Sequence, residues 1–153
     1  MKIHKALPAF ACCLLPALTS AAQPPSFSDT LVGYRYSSHF SDPGKHQDVA
    51  KHILQLTHVS SYWLGQQFVN LDVFKSDHND PRKDSDSGAT EVYLTYRNQI
   101  QYGRVFDQPL AFGPVKDVAL GTGFDWNTKN NAFQSRKRMF LLGPTSVSYT
   151  HLR

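Results

Sequence analysis

Phe68-Val69-Asn70-Leu71-Asp72-Val73-Phe74 is the stretch that decides the fold. Counted in steps of two, Val69, Leu71 and Val73 make one purely apolar face, and Asn70 and Asp72 stand on the other between Phe68 and Phe74. Successive side chains of a strand point to opposite faces, whereas a helix would scatter the three aliphatic groups around its circumference. The segment is therefore read as a β-strand with an apolar side and a mixed polar and aromatic side.

The same period returns on both sides of it. Residues 31–40 alternate Val32, Tyr34 and Tyr36 with Gly33, Arg35 and Ser37, and residues 52–59 set Leu54 and Leu56 against Gln55 and Thr57. Residues 91–100 oppose Val92, Leu94 and Tyr96 to Glu91, Tyr93, Thr95 and Arg97. Residues 118–127 oppose Val118, Leu120, Phe124 and Trp126 to Ala119, Gly121, Gly123, Asp125 and Asn127. Residues 138–143 are a sixth candidate with weaker alternation. Gly, Pro, Asn, Asp and Ser punctuate the runs, as turns require. Links 41–48, 77–88 and 128–136 are polar and charged, whereas 60–65 is short and aromatic. Link 101–116 holds Gly103, Pro109, Gly113 and Pro114 and reads as a rigid loop or small plug.

Strands of about ten residues, polar on one side and apolar with aromatic ends on the other, suit an antiparallel transmembrane β-barrel. Tyr36, Phe40, Tyr62, Trp63, Tyr96 and Trp126 are expected near strand ends, where amphipathic rings favour the headgroup region. A soluble periplasmic β-sandwich that binds a ligand shows the same alternation and is the competing architecture.

Composition limits the partners. The chain has 153 residues, 41% of them hydrophobic, which fits one domain and is too apolar for a disordered chain. Its formal charge is +4, but without Lys2, Lys5 and Arg153 the sixteen basic residues become thirteen against twelve acidic ones, a balance of +1. That balance argues against a nucleic-acid partner. Residues 1–22 read as a cleaved signal peptide: Lys2 and Lys5 precede the apolar run Ala6 to Leu18, and Ser20-Ala21-Ala22 offers small residues for cleavage. Both cysteines, Cys12 and Cys13, lie in that run, so the exported chain is expected to have neither disulfides nor thiolate metal sites. At the other end, residues 147–153, Val-Ser-Tyr-Thr-His-Leu-Arg, are similar to a translated transposon-type sequencing adapter and are expected to be non-native.

From Phe27-Ser28-Asp29-Thr30-Leu31-Val32-Gly33-Tyr34-Arg35-Tyr36 onward, the sequence resembles the Tsx-like family of nucleoside-specific channel-forming outer-membrane proteins, in its outer-envelope or nucleoside-binding branch. Further segments similar to that family are Leu56-Thr57-His58-Val59-Ser60, Asn70-Leu71-Asp72-Val73, Ser76-Asp77-His78-Asn79-Asp80-Pro81 and Glu91-Val92-Tyr93. Phe112-Gly113-Pro114-Val115-Lys116-Asp117-Val118 and Gly123-Phe124-Asp125-Trp126-Asn127-Thr128-Lys129-Asn130 continue the series. The resemblance implies that residues 23–146 are the N-terminal part of a barrel of about twelve strands. It further implies residence in the cell outer membrane, contact with the barrel-assembly machinery, and passive uptake of nucleosides or similar small solutes. It calls for no cofactor, no metal and no enzymatic activity.

A pore for nucleosides would line its wet side with aromatic faces and hydrogen-bonding groups. By the strand periods, the pore-lining candidates are Arg35, Gln55, Thr57, Phe68, Asn70, Asp72, Phe74, Tyr93, Thr95, Arg97, Asp125 and Asn127. The plainer reading is an ion-paired interior, with Asp72 held by Arg97 and Asp125 by an arginine such as Arg138. Asp84-Ser85-Asp86-Ser87-Gly88 partly echoes a calcium loop, but Glu91 is wrongly spaced for the twelve-residue form. A barrel enzyme acting on lipids would have to recruit His58 with Ser60 or Ser61, and no nucleophile elbow marks either serine.

Overall fold

The computed structural model describes residues 27–42 and 46–148; the signal-peptide reading and residues 149–153 fall outside them. The described chain is all-β. Six strands, β1 (Phe27–Phe40), β2 (Val49–Tyr62), β3 (Gly65–Ser76), β4 (Thr90–Gln101), β5 (Val115–Lys129) and β6 (Arg138–Ser148), form one antiparallel sheet in chain order. The sheet is open, with β1 and β6 as its edges. Each strand exceeds the alternating segment that announced it, because pairing continues into residues whose own pattern is weak. Val147 and Ser148 thus stand opposite Asp117 and Val115.

Meander topology sorts the links. Links 77–89 and 130–137 gather at one end of the sheet with the described residues 41–42 and 46–48, and the other end holds the turn 63–64 and the link 102–114. The aromatic link between β2 and β3 shrinks to Trp63-Leu64, since Tyr62 pairs with Gly65. Link 102–114 contains a one-turn helix, α1 (Tyr102–Phe106), and is pinned at two places. Asp117 accepts backbone hydrogen bonds from Gly103 (2.9 Å), Leu110 (3.1 Å) and Val118 (2.9 Å). Arg104 donates to the carbonyls of Tyr62 and Gly65, tying the link to the β2–β3 turn.

Register assigns the two faces. Val32, Leu56, Leu71, Leu94 and Trp126 form one row across five strands, and Gly33, Gln55, Asp72, Tyr93 and Asn127 form the next row on the opposite face. The burial is inverted relative to a water-soluble sheet. Lys51, Asp125 and Asn127 are only 2%, 3% and 3% exposed, whereas Leu56, Phe140 and Leu142 are 44%, 70% and 66% exposed. Only Val49, Ile53, Ala89 and Ala119 are buried hydrophobic residues among those described, too few for a core of the usual kind.

One aromatic expectation changes. Tyr96 lies mid-strand, opposite Val69 and Phe124, because β4 starts at Thr90 and ends at Gln101. Trp126 does lie near a strand end, with the guanidinium of Arg138 4.9 Å over its ring.

Candidate functional site

All twelve pore-lining candidates fall on the polar face, because antiparallel pairing without an internal slip preserves parity from Ser37 to Lys129. Hydrogen bonding gathers them into two networks. The first crosses β1 to β3. Asn70 Oδ1 accepts from Gln55 (2.9 Å) and Thr57 (2.6 Å), while its amide nitrogen donates to Asp72 (2.7 Å). Arg35 closes the chain on the other Asp72 oxygen at 3.2 Å.

The second network centres on Asp125. Arg97 Nη1 is 2.6 Å from one carboxylate oxygen and Lys137 Nζ 3.1 Å from the other, while the Tyr93 hydroxyl accepts from Lys137 at 3.0 Å. Hydrogen bonding to Tyr93 and Asp125 raises Lys137 above the ordinary lysine value. Gly123 makes this arrangement possible. A Cβ there would lie 2.8 Å from Arg97 Cδ and 3.0 Å from the Tyr96 carbonyl, so only glycine lets the Arg97 stem lie across β5.

The expected ion pairs are therefore redistributed. Asp72 pairs with Arg35, because Arg97 stands opposite Phe68, four residues along β3 and about 13 Å away. Asp125 pairs with Arg97 and Lys137, because Arg138 stands opposite Trp126 on the apolar face.

The remaining candidates are spread over the same surface. Asn127 donates to Glu91 (2.5 Å) and accepts from Ser135 (3.0 Å). Phe68 lines a hollow further down the sheet. Phe74, opposite Glu91, and Thr95, opposite Asp125, join neither network.

Several polar-face groups escaped the sequence reading. At the link-rich end, Lys129 Nζ is 2.8 Å from Asp42, 2.9 Å from Asp80 and 3.8 Å from Glu91, and Lys51 Nζ is 2.5 Å from Asp42. Burial pushes the Asp42 and Asp80 carboxyls up, but Lys129 overcomes it at both, helped by Lys51 at Asp42 and by Asn131 and Ser76 at Asp80. The net position is below the usual carboxylate range. Lys129 is one period-two step beyond Asn127, a signal already present in the alternation. Asp42 and Asp80 lie in links, where no period operates.

Charge on this face is matched: Arg35, Lys51, Arg97, Lys129 and Lys137 each sit against a carboxylate. Asp84 and Asp86 are exposed, and among the described residues no group of three His, Cys, Asp or Glu side chains converges on a metal position. No family model matches the chain, and neither a curated protein nor a solved structure does so.

Proposed function

We propose that this sheet is part of the wall of an outer-membrane β-barrel, reached through a cleaved signal peptide, that lets nucleosides or similar small uncharged solutes pass down their gradients. The carrying observation is the inverted burial, with Lys51, Asp125 and Asn127 covered and Leu56, Phe140 and Leu142 exposed. In water that arrangement leaves a large apolar surface wet; in a bilayer the same surface faces hydrocarbon and the polar networks face the pore. Closure follows from the edges. The free N–H and C=O groups of β1 and β6 each cost several kcal/mol in hydrocarbon, so further strands must pair with them.

The paired cations support an uncharged solute over an anion, since an anion would find no free countercharge among the five. The resemblance to Tsx-like channels supports nucleosides in particular. The barrel-assembly machinery is the partner such a wall requires.

Cysteine labelling tests the orientation. Single cysteines at Leu71 and Asn70, neighbours on opposite faces, are introduced into the membrane-assembled protein and probed with a water-soluble maleimide. Position 70 should react and position 71 should stay protected until the protein is unfolded. Equal reactivity at both positions, or recovery of the chain in the aqueous periplasmic fraction, would overturn the membrane reading. Conductance that nucleosides neither block nor permeate would remove the solute and leave the architecture.

A further inference from the structure

We infer that the polar face, toward the end that holds turn 63–64, carries a binding groove for a planar, uncharged, carbonyl-bearing ring, laid over the open backbone of Gly143 beside the Thr145 methyl. Two hollows of about 310 Å³ and 220 Å³ share Arg97 and Gln99, which makes them one groove. The larger also takes in Leu141 and Thr145 beside the two glycines, and the smaller is lined by Val59, Gln66 and Phe68. The larger volume is at the lower end of the range for small-molecule sites.

Gly121 and Gly143 stand opposite each other across β5 and β6; the floor is open backbone at Gly143, and the Thr145 methyl lies over Gly121 beside it. Open backbone at Gly143 between the Thr145 methyl and Leu141, with Phe68 further along the groove, favours a flat apolar-faced ring over a hydroxylated, puckered sugar. The walls supply mostly donors. Arg97 makes all its contacts through Nη1, to Asp125, Tyr96 O and Phe124 O, leaving Nε and Nη2 without partners among the described residues. Gln99 Oε1 accepts from Gln66 at 2.6 Å, which leaves the Gln99 amide N–H groups to donate. Asp125 neutralises Arg97, so these donors suit a neutral carbonyl oxygen better than an anion.

This inference rests on the solute reading above and narrows it to one place and one ring chemistry. The glycines also provide the test. An added Cβ at Gly143 meets nothing within 4 Å, so Gly143→Leu fills the groove without straining the sheet. Uridine, adenosine and ribose are titrated into the full chain in detergent micelles. Uridine should bind most tightly and ribose least, and Gly143→Leu should weaken uridine at least about tenfold with strand content unchanged. Gln99→Leu, which keeps the bulk and removes the donors, should weaken it roughly threefold to tenfold.

Uridine binding no tighter than ribose, or equal binding by the parent and both variants, overturns the inference. A chain that binds uridine as described but remains in the aqueous phase keeps the groove and loses the membrane. A chain that enters micelles without binding uridine loses the groove alone.

Discussion

The two ends of the polar face use the same kinds of residue and differ in how completely those residues satisfy one another. At the link-rich end, two ammonium groups and three carboxylates meet within 4 Å, and Asp80 is fully buried with Ser76 and Asn131 on its remaining valences. The groove at the other end is lined by one cation, Arg97, its donors only partly used, and Gly143 keeps part of the floor clear. A saturated cluster holds structure, whereas spare hydrogen-bonding capacity beside open space receives a solute. Charge content alone would rank the two ends the wrong way round.

The comparison breaks most easily at Lys129. Replacing it with Met keeps the stem and removes the charge that Asp42, Asp80 and Glu91 share, leaving Asp80 uncompensated in a fully buried position. Loss of one partner of a buried pair costs about 3–5 kcal/mol. The urea midpoint of Lys129→Met should fall accordingly, and link 77–89 should become the first site of proteolysis. A shift under about 1 kcal/mol would mean that the cluster is solvated and holds nothing.

Acid probes the same cluster without mutation. Asp42 and Asp80 are held below their ordinary values in the folded chain, so at low pH the unfolded chain takes up protons first. Their contribution to stability is complete above about pH 4 and is lost as pH falls through the lowered folded values. Hydrogen exchange at the Asp80 and Ala89 amides, both in link 77–89, should stay flat from neutral pH to about pH 5 after correction for intrinsic rates, and should accelerate below about pH 4. Loosening that begins near pH 6 would point to a histidine instead.

A change at Gly123 reaches the groove end. Valine there would put its Cβ 2.8 Å from Arg97 Cδ, forcing the guanidinium off Asp125, which keeps Lys137 and a long hydrogen bond from the Tyr93 hydroxyl. Overpacking of this kind costs about 1–3 kcal/mol, less than the loss of Lys129 because one ion pair survives. The urea midpoint measures it, and Gly143→Leu, placed in open space, is the control that should leave that midpoint nearly unchanged.

How much of this was legible in sequence follows from the physics of a strand. Parity is local, so Phe68 to Phe74 alone announced the strand and divided its faces, and all twelve lining candidates share one surface. Which residue faces which depends on register, which no single strand carries, and so Asp72 was matched to Arg97 when Arg35 is its partner. Gln66, Gln99 and Lys129 are each one step of two from a named lining candidate, and Lys51 is two steps from Gln55, so the same period carried further would have reached all four. Asp42, Asp80 and Lys137 come from links, and only folding brings them to the sheet.

The smallest effect belongs to Arg35 and sharpens the contrast between open and enclosed surface. Its side chain is 55% exposed on the edge strand β1, and Asp72 retains the Asn70 amide at 2.7 Å when the arginine is removed. An ion pair so exposed is worth about 0–1 kcal/mol, so Arg35→Ala in this chain should shift the urea midpoint barely at all and show little salt dependence. Pairing of further strands along β1 would enclose Arg35, remove water from both partners and raise the cost of losing one of them. The same substitution measured in a closed barrel should therefore be several times more damaging than in the open sheet. Equal small losses in both would mean that the polar face stays as wet after closure as before, and that water reaches the Gln55–Asn70–Asp72 network in either form.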